Sequence, residues 1–218
     1  MGTRTRVKVC GLRRREDVER CVELGVEMLG FNCWEGSPRY VAPLALTSLV
    51  RAARSQEVVL VFVRAEPDEV GAVLSAIDIP RDRLSIQLHG DEDPARYSSL
   101  GVRIVQVLRL ARPGEPVRPV LTSRVLLDAH TPGFGGTGSR IDPETVLRLL
   151  PVLPEEWMLA GGLDAACVRE LVERFRPWAV DVASGVEVSP GVKDHGKLAA
   201  FVASVRSERE SETVTKPC

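Results

Sequence analysis

The stretch Arg124-Val125-Leu126-Leu127-Asp128 holds the pattern that decides the fold of this chain. A run of strand length and mostly apolar character ends at a carboxylate, and a glycine-rich loop follows it at residues 130–138. Val7-Lys8-Val9-Cys10-Gly11 repeats the pattern near the N-terminus, with a thiol at the end of the run. Parallel strands that are covered on both faces are apolar along their whole length, whereas half-exposed strands alternate. Both stretches therefore indicate buried parallel strands that carry a reactive side chain at their C-terminal ends.

Similar runs recur along the chain and are separated by amphipathic stretches, several of which open with proline or aspartate. We predict strands at residues 7–10, 28–31, 58–63, 84–88, 104–108, 125–128, 157–160 and 179–182. We predict helices at residues 15–24, 43–54, 67–77, 94–100, 143–150, 164–175 and 193–205. The link at 111–123 contains three prolines, which predicts a short or missing helix there.

Eight strand–helix units in a chain of 218 residues predict an α/β fold, a single (βα)8 TIM barrel of the phosphate-binding type. No linker interrupts the alternation, so we assign one domain to residues 1–206. The polar segment 207–218 lacks periodicity and is predicted to be a flexible C-terminal tail. A doubly wound open sheet is the main alternative fold, because strand counting from sequence is error-prone.

Composition excludes several classes of function. The formal net charge of −1 argues against a nucleic acid or an anionic membrane as a partner, and no apolar run reaches the length of a membrane span. The five cysteines are widely spaced without a CxxC motif, so neither a metal site nor a disulfide framework is predicted. We expect a cytoplasmic protein with reduced thiols and no metal.

In a TIM barrel the loops after the strands form the active face, so the residues at the strand ends are the candidates for catalysis. Cys10 is a candidate base or nucleophile, although a lone cysteine is more often a small buried apolar residue. Lys8 lies two residues earlier, on the same side of the strand, and its ammonium could favour the thiolate. Asp128 is the candidate acid at the end of the sixth strand.

Further polar residues follow the second and fourth strands. Arg39 lies beside a proline and is suited to hold a carboxylate with two parallel hydrogen bonds, or else is a surface residue in a turn. Gln87 and His89 share one face of the fourth strand and could line the mouth of the barrel. A structural histidine is an equally good interpretation of His89.

Glycine-rich turns predict where an anion binds. Gly161-Gly162 follows the seventh strand and Ser184-Gly185 follows the eighth, which is where many TIM barrels bind a phosphate group. Gly136 and Thr137, in the loop after the sixth strand, would let backbone N–H groups approach the same anion. A loop that is merely flexible is the alternative at Gly136 and Thr137.

Several short blocks, in this order and spacing, are highly specific when taken together. They are Lys8-Val9-Cys10-Gly11-Leu12, Ser37-Pro38-Arg39-Tyr40-Val41, Gln87-Leu88-His89-Gly90-Asp91-Glu92, Leu126-Leu127-Asp128, Gly135-Gly136-Thr137-Gly138, Leu159-Ala160-Gly161-Gly162-Leu163, and Val180-Asp181-Val182-Ala183-Ser184-Gly185-Val186-Glu187 with Pro190-Gly191 and Lys193-Asp194. With these blocks the chain resembles the phosphoribosylanthranilate isomerase family of tryptophan biosynthesis, from about residue 8 to residue 201.

The resemblance implies an Amadori rearrangement that needs no cofactor. N-(5-phosphoribosyl)anthranilate becomes 1-(2-carboxyphenylamino)-1-deoxyribulose 5-phosphate. By position Asp128 matches the general acid of the family, Cys10 its general base and Arg39 the residue that meets the anthranilate carboxylate. Asp181 matches a polar residue near the sugar hydroxyls, and the glycine turns match the phosphate site. The implied partner is a small phosphorylated sugar, bound by a monomer or a homodimer.

The two steps of this rearrangement require an acid and a base, which are the residue types at Asp128 and Cys10. Opening a furanose needs a proton on the ring oxygen, and the resulting Schiff base loses its C2 hydrogen to a base. Cys10 would need a lowered pKa for the second step, for which Lys8 or local dipoles are the expected cause. Asn32-Cys33-Trp34 and Pro143 depart from the usual family pattern in the loops around this site.

Two other functions stay open. An aminoaldose isomerase of the histidine-pathway type performs the same rearrangement on a different aglycone, but it is expected to use aspartates as both acid and base. A non-catalytic barrel that binds a phosphorylated ligand is the second alternative, and the pairing of Cys10 with Asp128 argues against it.

Overall fold

A computed structural model describes residues 4–110, 118–129 and 142–207 of the chain. Eight parallel strands close into a barrel in sequential order, which confirms the predicted TIM barrel. The strands are β1 (Arg6–Val9), β2 (Met28–Asn32), β3 (Glu57–Phe62), β4 (Leu84–Leu88), β5 (Arg103–Leu110), β6 (Arg124–Ala129), β7 (Glu156–Leu159) and β8 (Ala179–Val182). Each overlaps its predicted strand, with small shifts at the ends.

Closure of the barrel depends on the pairing of the first strand with the last. Val7 of β1 pairs with Val180 of β8, and Val9 pairs with Val182. Because side chains alternate across a strand, every strand has one row of side chains inside the barrel and one row facing the helices. The open sheet is thereby excluded as the fold.

Two apolar layers result from this alternation. Inside the barrel, Met28, Val59, Val107, Leu126 and Met158 are among the members of one buried cluster. The larger cluster lies between the sheet and the helices. The strands read as continuous apolar runs because both of their faces are covered.

Helices cover the outside of the barrel. They are α1 (Arg15–Glu23), α2 (Pro43–Ala52), α3 (Pro67–Ser75), α4 (Pro143–Leu149), α5 (Val168–Phe175) and α6 (His195–Arg206). Proline occupies the first turn of α2, α3 and α4, where its missing N–H has no intrahelical partner to lose. The Pro143 departure from the family pattern is therefore compatible with α4, whose N-cap Asp142 accepts from two backbone N–H groups.

Three of the predicted helices differ from the observed structure. Pro94–Leu100 is a 3₁₀ helix, which ends at Gly101 in the left-handed conformation. The predicted helix at 164–175 begins only at Val168, because Asp164 accepts from the N–H groups of Ala166 and Cys167 in the preceding turn. The last helix begins at His195 rather than at residue 193.

The segment before α6 is a small antiparallel hairpin. Its strands are β9 (Glu187–Ser189) and β10 (Val192–Lys193), and β9 follows a 3₁₀ turn at Ser184–Val186 directly after β8. Lys193 therefore belongs to β10, and its side chain is buried. Asp194 then caps α6 by accepting from two backbone N–H groups.

The N-terminal end of the barrel is filled by charged side chains with partners. Arg124 donates to Glu57 and, at 2.8 Å, to Glu156, while its guanidinium carbon lies 4.5 Å from the ring centroid of Trp178. Arg103 adds an ion pair to Glu57 at 3.2 Å. These contacts give the buried guanidinium of Arg124 and the carboxylate of Glu57 charged partners.

The domain prediction for 1–206 and the tail prediction for 207–218 stay predictions. Nearly all of the tail lies outside the described residues, as does most of the link at 111–123.

Candidate active site

The inward row of side chains ends, at the C-terminal end of the barrel, in polar groups. Cys10 follows β1, His89 follows β4, and Asp128 and Asp181 lie on β6 and β8. Lys8 and Cys10 share the inward side of β1, as predicted from their spacing. The strand alternation that buries valine and leucine in the middle of the barrel places these polar groups above it.

Lys8 and Asp181 form a buried ion pair inside the barrel. Lys8 Nζ lies 3.0 Å from Asp181 Oδ2, and the lysine side chain is fully buried. Burial lowers the pKa of Lys8 and is the largest single effect, but the charges and hydrogen bonds of Asp181 and Cys10 together outweigh it, and the pKa lies above its ordinary value. Lys8 is therefore a fixed ammonium beside Cys10, across the barrel seam from Asp181.

The expectation of a lowered pKa at Cys10 is wrong. Burial raises the pKa of the Cys10 thiol, and the nearby Asp181 carboxylate adds to the rise. The charges of Lys8 and Lys193 and a hydrogen bond from Lys8 lower it, but they do not reverse the sign. Desolvation of a thiolate on the inner wall of the barrel is the larger effect.

Asp128 lies next to His89 at the opposite side of the barrel mouth. His89 Nε2 is 3.4 Å from Asp128 Oδ2, and His89 Nδ1 is 3.2 Å from Gln87 Nε2. The Gln87 contact fixes the imidazole so that its second nitrogen points toward the carboxylate. The structure thus brings together the candidate acid with both polar residues predicted on β4.

Three buried polar atoms of the predicted site residues have no hydrogen-bond partner among the described residues. They are Gln87 Oε1, His89 Nε2 and Asp181 Oδ1. Buried polar groups are normally paired, and exceptions cluster at functional sites. This end of the barrel therefore offers polar groups to a small ligand with hydroxyl groups.

Arg39 lies at the mouth in the loop after β2, but Glu187 holds its guanidinium. Arg39 Nη2 and Nε are 2.6 and 3.0 Å from the Glu187 carboxylate, a bidentate ion pair. Gly11, with φ of +76°, lies directly beneath, and a β-carbon there would overlap the arginine side chain. Arg39 can reach an aromatic carboxylate only through the edge of the guanidinium that Glu187 leaves uncovered.

The glycine turns after β7 and β8 pack against each other. Gly161 and Gly162 adopt φ of +96° and +63°, which favour glycine. Gly185 lies so close to the Leu163 carbonyl oxygen that a β-carbon on it would overlap that atom. The two predicted halves of the anion site, the second of which includes Ser184, are therefore adjacent. Gly136 and Thr137 lie outside the described residues.

Four residues near the site carry no role in the sequence-based prediction. Arg109 is paired in register with Asp128 and donates to the His89 carbonyl. Asn32 closes the loop after β2 through Ser37 Oγ at 3.0 Å and the Trp34 N–H at 2.9 Å, which accommodates the unusual Asn32-Cys33-Trp34. Glu187 and Lys193 stand inside quoted family blocks. A charged residue between apolar neighbours was the signal available for Arg109 and Glu187, whereas Lys193 is followed by Asp194 and gave no such signal.

The described residues form neither a metal site nor a membrane span. No group of three or more His, Cys, Asp or Glu side chains is arranged to hold a metal ion in that part of the chain. No helix within it is long and apolar enough to cross a membrane.

The fold and the site define a class. A closed barrel of eight parallel strands carries a thiol, a carboxylate and an imidazole at its C-terminal end, next to paired glycine turns. This is a TIM barrel with a small-molecule site built on its strand ends.

Comparison with known proteins gives the family. The family described as N-(5'-phosphoribosyl)anthranilate (PRA) isomerase matches residues 7–204. The N-(5'-phosphoribosyl)anthranilate isomerase of Dechloromonas aromatica is 41% identical over 214 residues, covering 95% of this chain and 99% of that relative. The chain belongs to the N-(5'-phosphoribosyl)anthranilate isomerase family.

Solved structures agree with this assignment. The phosphoribosyl anthranilate isomerase of Thermus thermophilus matches with a TM-score of 0.77 and 33% identity, covering 92% of this chain and 98% of that chain. A phosphoribosyl anthranilate isomerase in complex with reduced 1-(o-carboxyphenylamino)-1-deoxyribulose 5-phosphate matches with a TM-score of 0.73 and 26% identity, with the same coverage of 92% and 98%.

Proposed function

We propose that this chain is an isomerase that converts N-(5'-phosphoribosyl)anthranilate to 1-(2-carboxyphenylamino)-1-deoxyribulose 5-phosphate in tryptophan biosynthesis. The observation that carries the proposal is the placement of Cys10 and Asp128 on the inward side at the C-terminal ends of β1 and β6. Membership of the family supports the reaction, and the chemistry of the two side chains supports their roles.

Asp128 acts as the general acid that opens the ring. It transfers a proton to the furanose oxygen while the C1–O bond breaks and the nitrogen lone pair forms a C1=N bond. His89, 3.4 Å from the carboxylate, orients Asp128 toward the ring oxygen. The product of this step is an open-chain Schiff base with a hydroxyl at C4.

Cys10 acts as the general base in the second step. Cys10 reacts as the thiolate, which is the minor form of a thiol whose pKa is raised. The thiolate removes the hydrogen from C2, and the electron pair of that bond forms a C1=C2 bond while the C1=N electrons return to nitrogen. The enaminol then moves a proton from its C2 hydroxyl to C1, which gives the aminoketose. No atom is gained or lost, and we propose that no metal or cofactor takes part.

The remaining predicted residues bind the substrate. The turns at Gly161-Gly162 and Ser184-Gly185, with Gly136 and Thr137, are proposed to hold the phosphate group through backbone N–H groups. Asp181 Oδ1 is an acceptor for a sugar hydroxyl, and Gln87 lines the same wall. Arg39 is proposed to hold the anthranilate carboxylate. Lys8 is proposed to hold Asp181 in place through their ion pair and to supply a positive charge beside Cys10.

A fluorescence assay tests the proposal. Purified protein is mixed with freshly generated phosphoribosylanthranilate in a chelating buffer without nucleotide, and loss of the anthranilate-type fluorescence is followed. We expect turnover under these conditions and competitive inhibition by inorganic phosphate. Turnover restored only by added metal would contradict the cofactor-free reaction, and no turnover at all would contradict the proposed function.

The variant that tests the base is Cys10→Ala, which removes the thiol and leaves a small side chain. Loss of a positioned base lowers the rate by a factor on the order of 10²–10⁴. Circular dichroism checks that the fold is kept. Turnover within about threefold of the unmodified protein would remove Cys10 from its proposed role. A parallel assay with the histidine-pathway aminoaldose substrate tests the alternative aglycone.

A further inference from the structure

Three charged side chains form a buried cluster where the barrel closes. Arg39, Glu187 and Lys193, which we call the seam cluster, have side chains that are 11%, 4% and 0% exposed. They come from the loop after β2, from β9 and from β10, and they meet beside the ends of β1 and β8. The cluster carries two positive charges and one negative charge.

Lys193 connects the two strands that close the barrel. Its Nζ donates to the Cys10 carbonyl at 2.6 Å and to the Ala183 carbonyl at 3.2 Å. Cys10 follows β1, and Ala183 lies between β8 and the turn at Ser184 that is proposed to bind phosphate. The Lys193 ammonium therefore links the backbone of Cys10 to the backbone just before Ser184-Gly185, the turn proposed to bind phosphate.

Glu187 connects Lys193 to Arg39. Its carboxylate lies 2.8 Å from Lys193 Nζ, accepts from Nε and Nη2 of Arg39, and accepts from the Gly191 N–H at 3.1 Å. Burial raises the pKa of Glu187, but the hydrogen bonds and charges of Arg39 and Lys193 outweigh burial, and the pKa lies below its usual range. The carboxylate is therefore ionised, and each of its oxygens is held by a cation.

Arg39 is fixed from two sides by this arrangement. Its aliphatic stem packs over Gly11, where a β-carbon would overlap it, and Glu187 holds Nε and Nη2. A long arginine side chain loses much rotamer freedom when it is held in this way. Because the loss has already occurred in the free protein, a bound carboxylate does not have to impose it.

Stability alone is a weak reason for such a cluster. Removing three charges from water is expensive, and well-packed apolar residues often stabilise a fold equally well. The ion pairs of Arg124 with Glu57 and Glu156, by contrast, lie at the N-terminal end of the barrel, far from any candidate catalytic group. The seam cluster differs because two of its members contact the predicted base and the predicted carboxylate-binding residue.

We propose that Glu187 and Lys193 are positioning residues for the isomerase reaction. Glu187 orients the guanidinium of Arg39 so that it can bind the aromatic carboxylate of the substrate. Lys193 fixes the position of Cys10 relative to the turn at Ser184-Gly185 that is proposed to bind phosphate. This inference rests on the proposed function and deepens it.

The first test measures how well the protein distinguishes a carboxylate. The probes are reduced 1-(o-carboxyphenylamino)-1-deoxyribulose 5-phosphate and the same compound without its carboxylate, and calorimetry gives the Kd of each. In Glu187→Gln the preference for the carboxylated probe is expected to fall about tenfold or more, because loss of a charge-assisted contact is of that size. Glu187→Asp, which keeps the charge on a shorter side chain, is expected to restore part of the preference.

The control for Glu187→Gln is Glu57→Gln at the N-terminal end of the barrel. Glu57 also pairs with an arginine that is almost fully buried, so this variant removes a comparable ion pair. Its preference for the carboxylated probe is expected to stay within about twofold of the unmodified protein. An unchanged preference in Glu187→Gln overturns the role of Glu187.

The second test concerns Lys193 and separates kcat from KM. Lys193→Met is expected to lower kcat about tenfold or more with a smaller change in KM, because the base moves while the substrate contacts remain. Lys193→Gln, which keeps a donor without the charge, is expected to recover part of kcat. If Lys193→Met does not fold, Lys193→Gln against the unmodified protein decides the question.

Lys197→Met is the control for Lys193→Met. Lys197 Nζ donates to the Glu187 carbonyl at 3.0 Å and touches neither the carboxylate nor Cys10. Its kcat is expected to match the unmodified protein. Equal kcat values for Lys193→Met and Lys197→Met overturn the role of Lys193. If the unmodified protein neither turns over the substrate nor binds the reduced product, the proposed function fails and this inference fails with it.

Discussion

The two ends of the barrel use charged side chains in opposite ways. At the N-terminal end Arg124 pairs with both Glu57 and Glu156, and the guanidinium carbons of Arg124 and Arg6 lie 4.5 and 4.7 Å from the ring centroid of Trp178. At the C-terminal end buried polar atoms of Gln87, His89 and Asp181 have no hydrogen-bond partner among the described residues. Charged groups that hold one another contribute to the fold, whereas the polar atoms without partners on the inner wall of the barrel are available to a ligand.

This difference predicts how the two ends respond to substitution. Changes at Gln87, His89 and Asp128, which belong to no buried ion-pair network, should reduce turnover while leaving the free energy of unfolding almost unchanged. Changes at the N-terminal end should reduce the free energy of unfolding and leave turnover by the folded protein unchanged. The seam cluster stands between these cases, because its ion pairs are saturated although it lies at the C-terminal end.

The largest effect is expected for Asp128→Asn. Asparagine keeps the shape of the side chain but cannot donate a carboxylic proton to the ring oxygen, so kcat should fall by a factor on the order of 10²–10⁴ or more. Steady-state fluorescence kinetics and a urea melt on the same sample measure both properties. Near-normal turnover, or a loss of stability in proportion to the loss of turnover, would contradict the assignment of Asp128 as the acid.

The next largest effect is expected for Arg124→Met at the N-terminal end, which should lower the free energy of unfolding and leave kcat unchanged. Breaking a fully buried ion pair lowers the free energy of unfolding by about 3–5 kcal/mol. Glu57 keeps Arg103 and Ser85 as partners, so about 2–3 kcal/mol is expected here. The midpoint of urea unfolding measures this loss. A changed kcat with unchanged stability would show that the two ends are not functionally separate.

A smaller effect is expected for Gly185→Ala in the proposed phosphate turn. The added β-carbon would overlap the Leu163 carbonyl oxygen, so the two glycine turns must separate and the KM should rise roughly tenfold, the size of one lost charge-assisted contact. Inorganic phosphate should inhibit the variant less than the unmodified protein. Gly185→Asp is a less informative variant, because its β-carbon would overlap the same carbonyl oxygen before its charge could repel the phosphate.

Gly101→Ala is the matched control for the glycine turn. Gly101 has φ of +65° but open space where a β-carbon would be placed. The substitution should lower the free energy of unfolding by roughly 1 kcal/mol and leave KM unchanged. A KM that rises equally in both variants would move the phosphate site away from Gly185.

The smallest expected effect is a shift in the pH dependence of Cys10. Its thiol has a raised pKa, so alkylation by iodoacetamide should increase with pH to a midpoint above the ordinary cysteine value of about 8.5. Lys8→Met removes a positive charge that stabilises the thiolate, so the midpoint should move up. Asp181→Asn removes a negative charge, so the midpoint should move down.

Mass spectrometry of the peptide that contains Cys10 measures the alkylation rate across pH. Burial raises the pKa of Cys21 and Cys33 to about 12, so these two thiols should react more slowly below that pH. Lys197→Met serves again as the control and should leave the midpoint in place. A shift of the same sign in Lys8→Met and Asp181→Asn would contradict the electrostatic account of Cys10.

Local patterns in the sequence were sufficient for the strands and for pairs of residues on one strand. The apolar runs predict all eight strands, because burial on both faces leaves a continuous apolar signal. The spacing of Lys8 and Cys10, and of Gln87 and His89, places each pair on one face because side chains alternate. The family blocks likewise contain each residue of the seam cluster, although without assigning a role to Glu187 or Lys193.

Local patterns failed where the outcome depends on chain ends and burial. Pro94–Leu100 has an amphipathic pattern, but it forms a 3₁₀ helix that stops at Gly101. Lys193 carries the charge expected of a helix surface, yet it lies in β10 with its ammonium buried between backbone carbonyls. Its partners could not be read from its neighbours in the chain.

By itself the sequence determined the eight strands, the α/β class and the strand-end residues that carry the proposed chemistry. Only the tertiary structure decided which of these residues meet. Lys8 pairs with Asp181 and Arg39 with Glu187 because β1 closes against β8, which brings together segments far apart in the chain. The sign of the Cys10 pKa shift was also decided there, because desolvation depends on what surrounds a group in space.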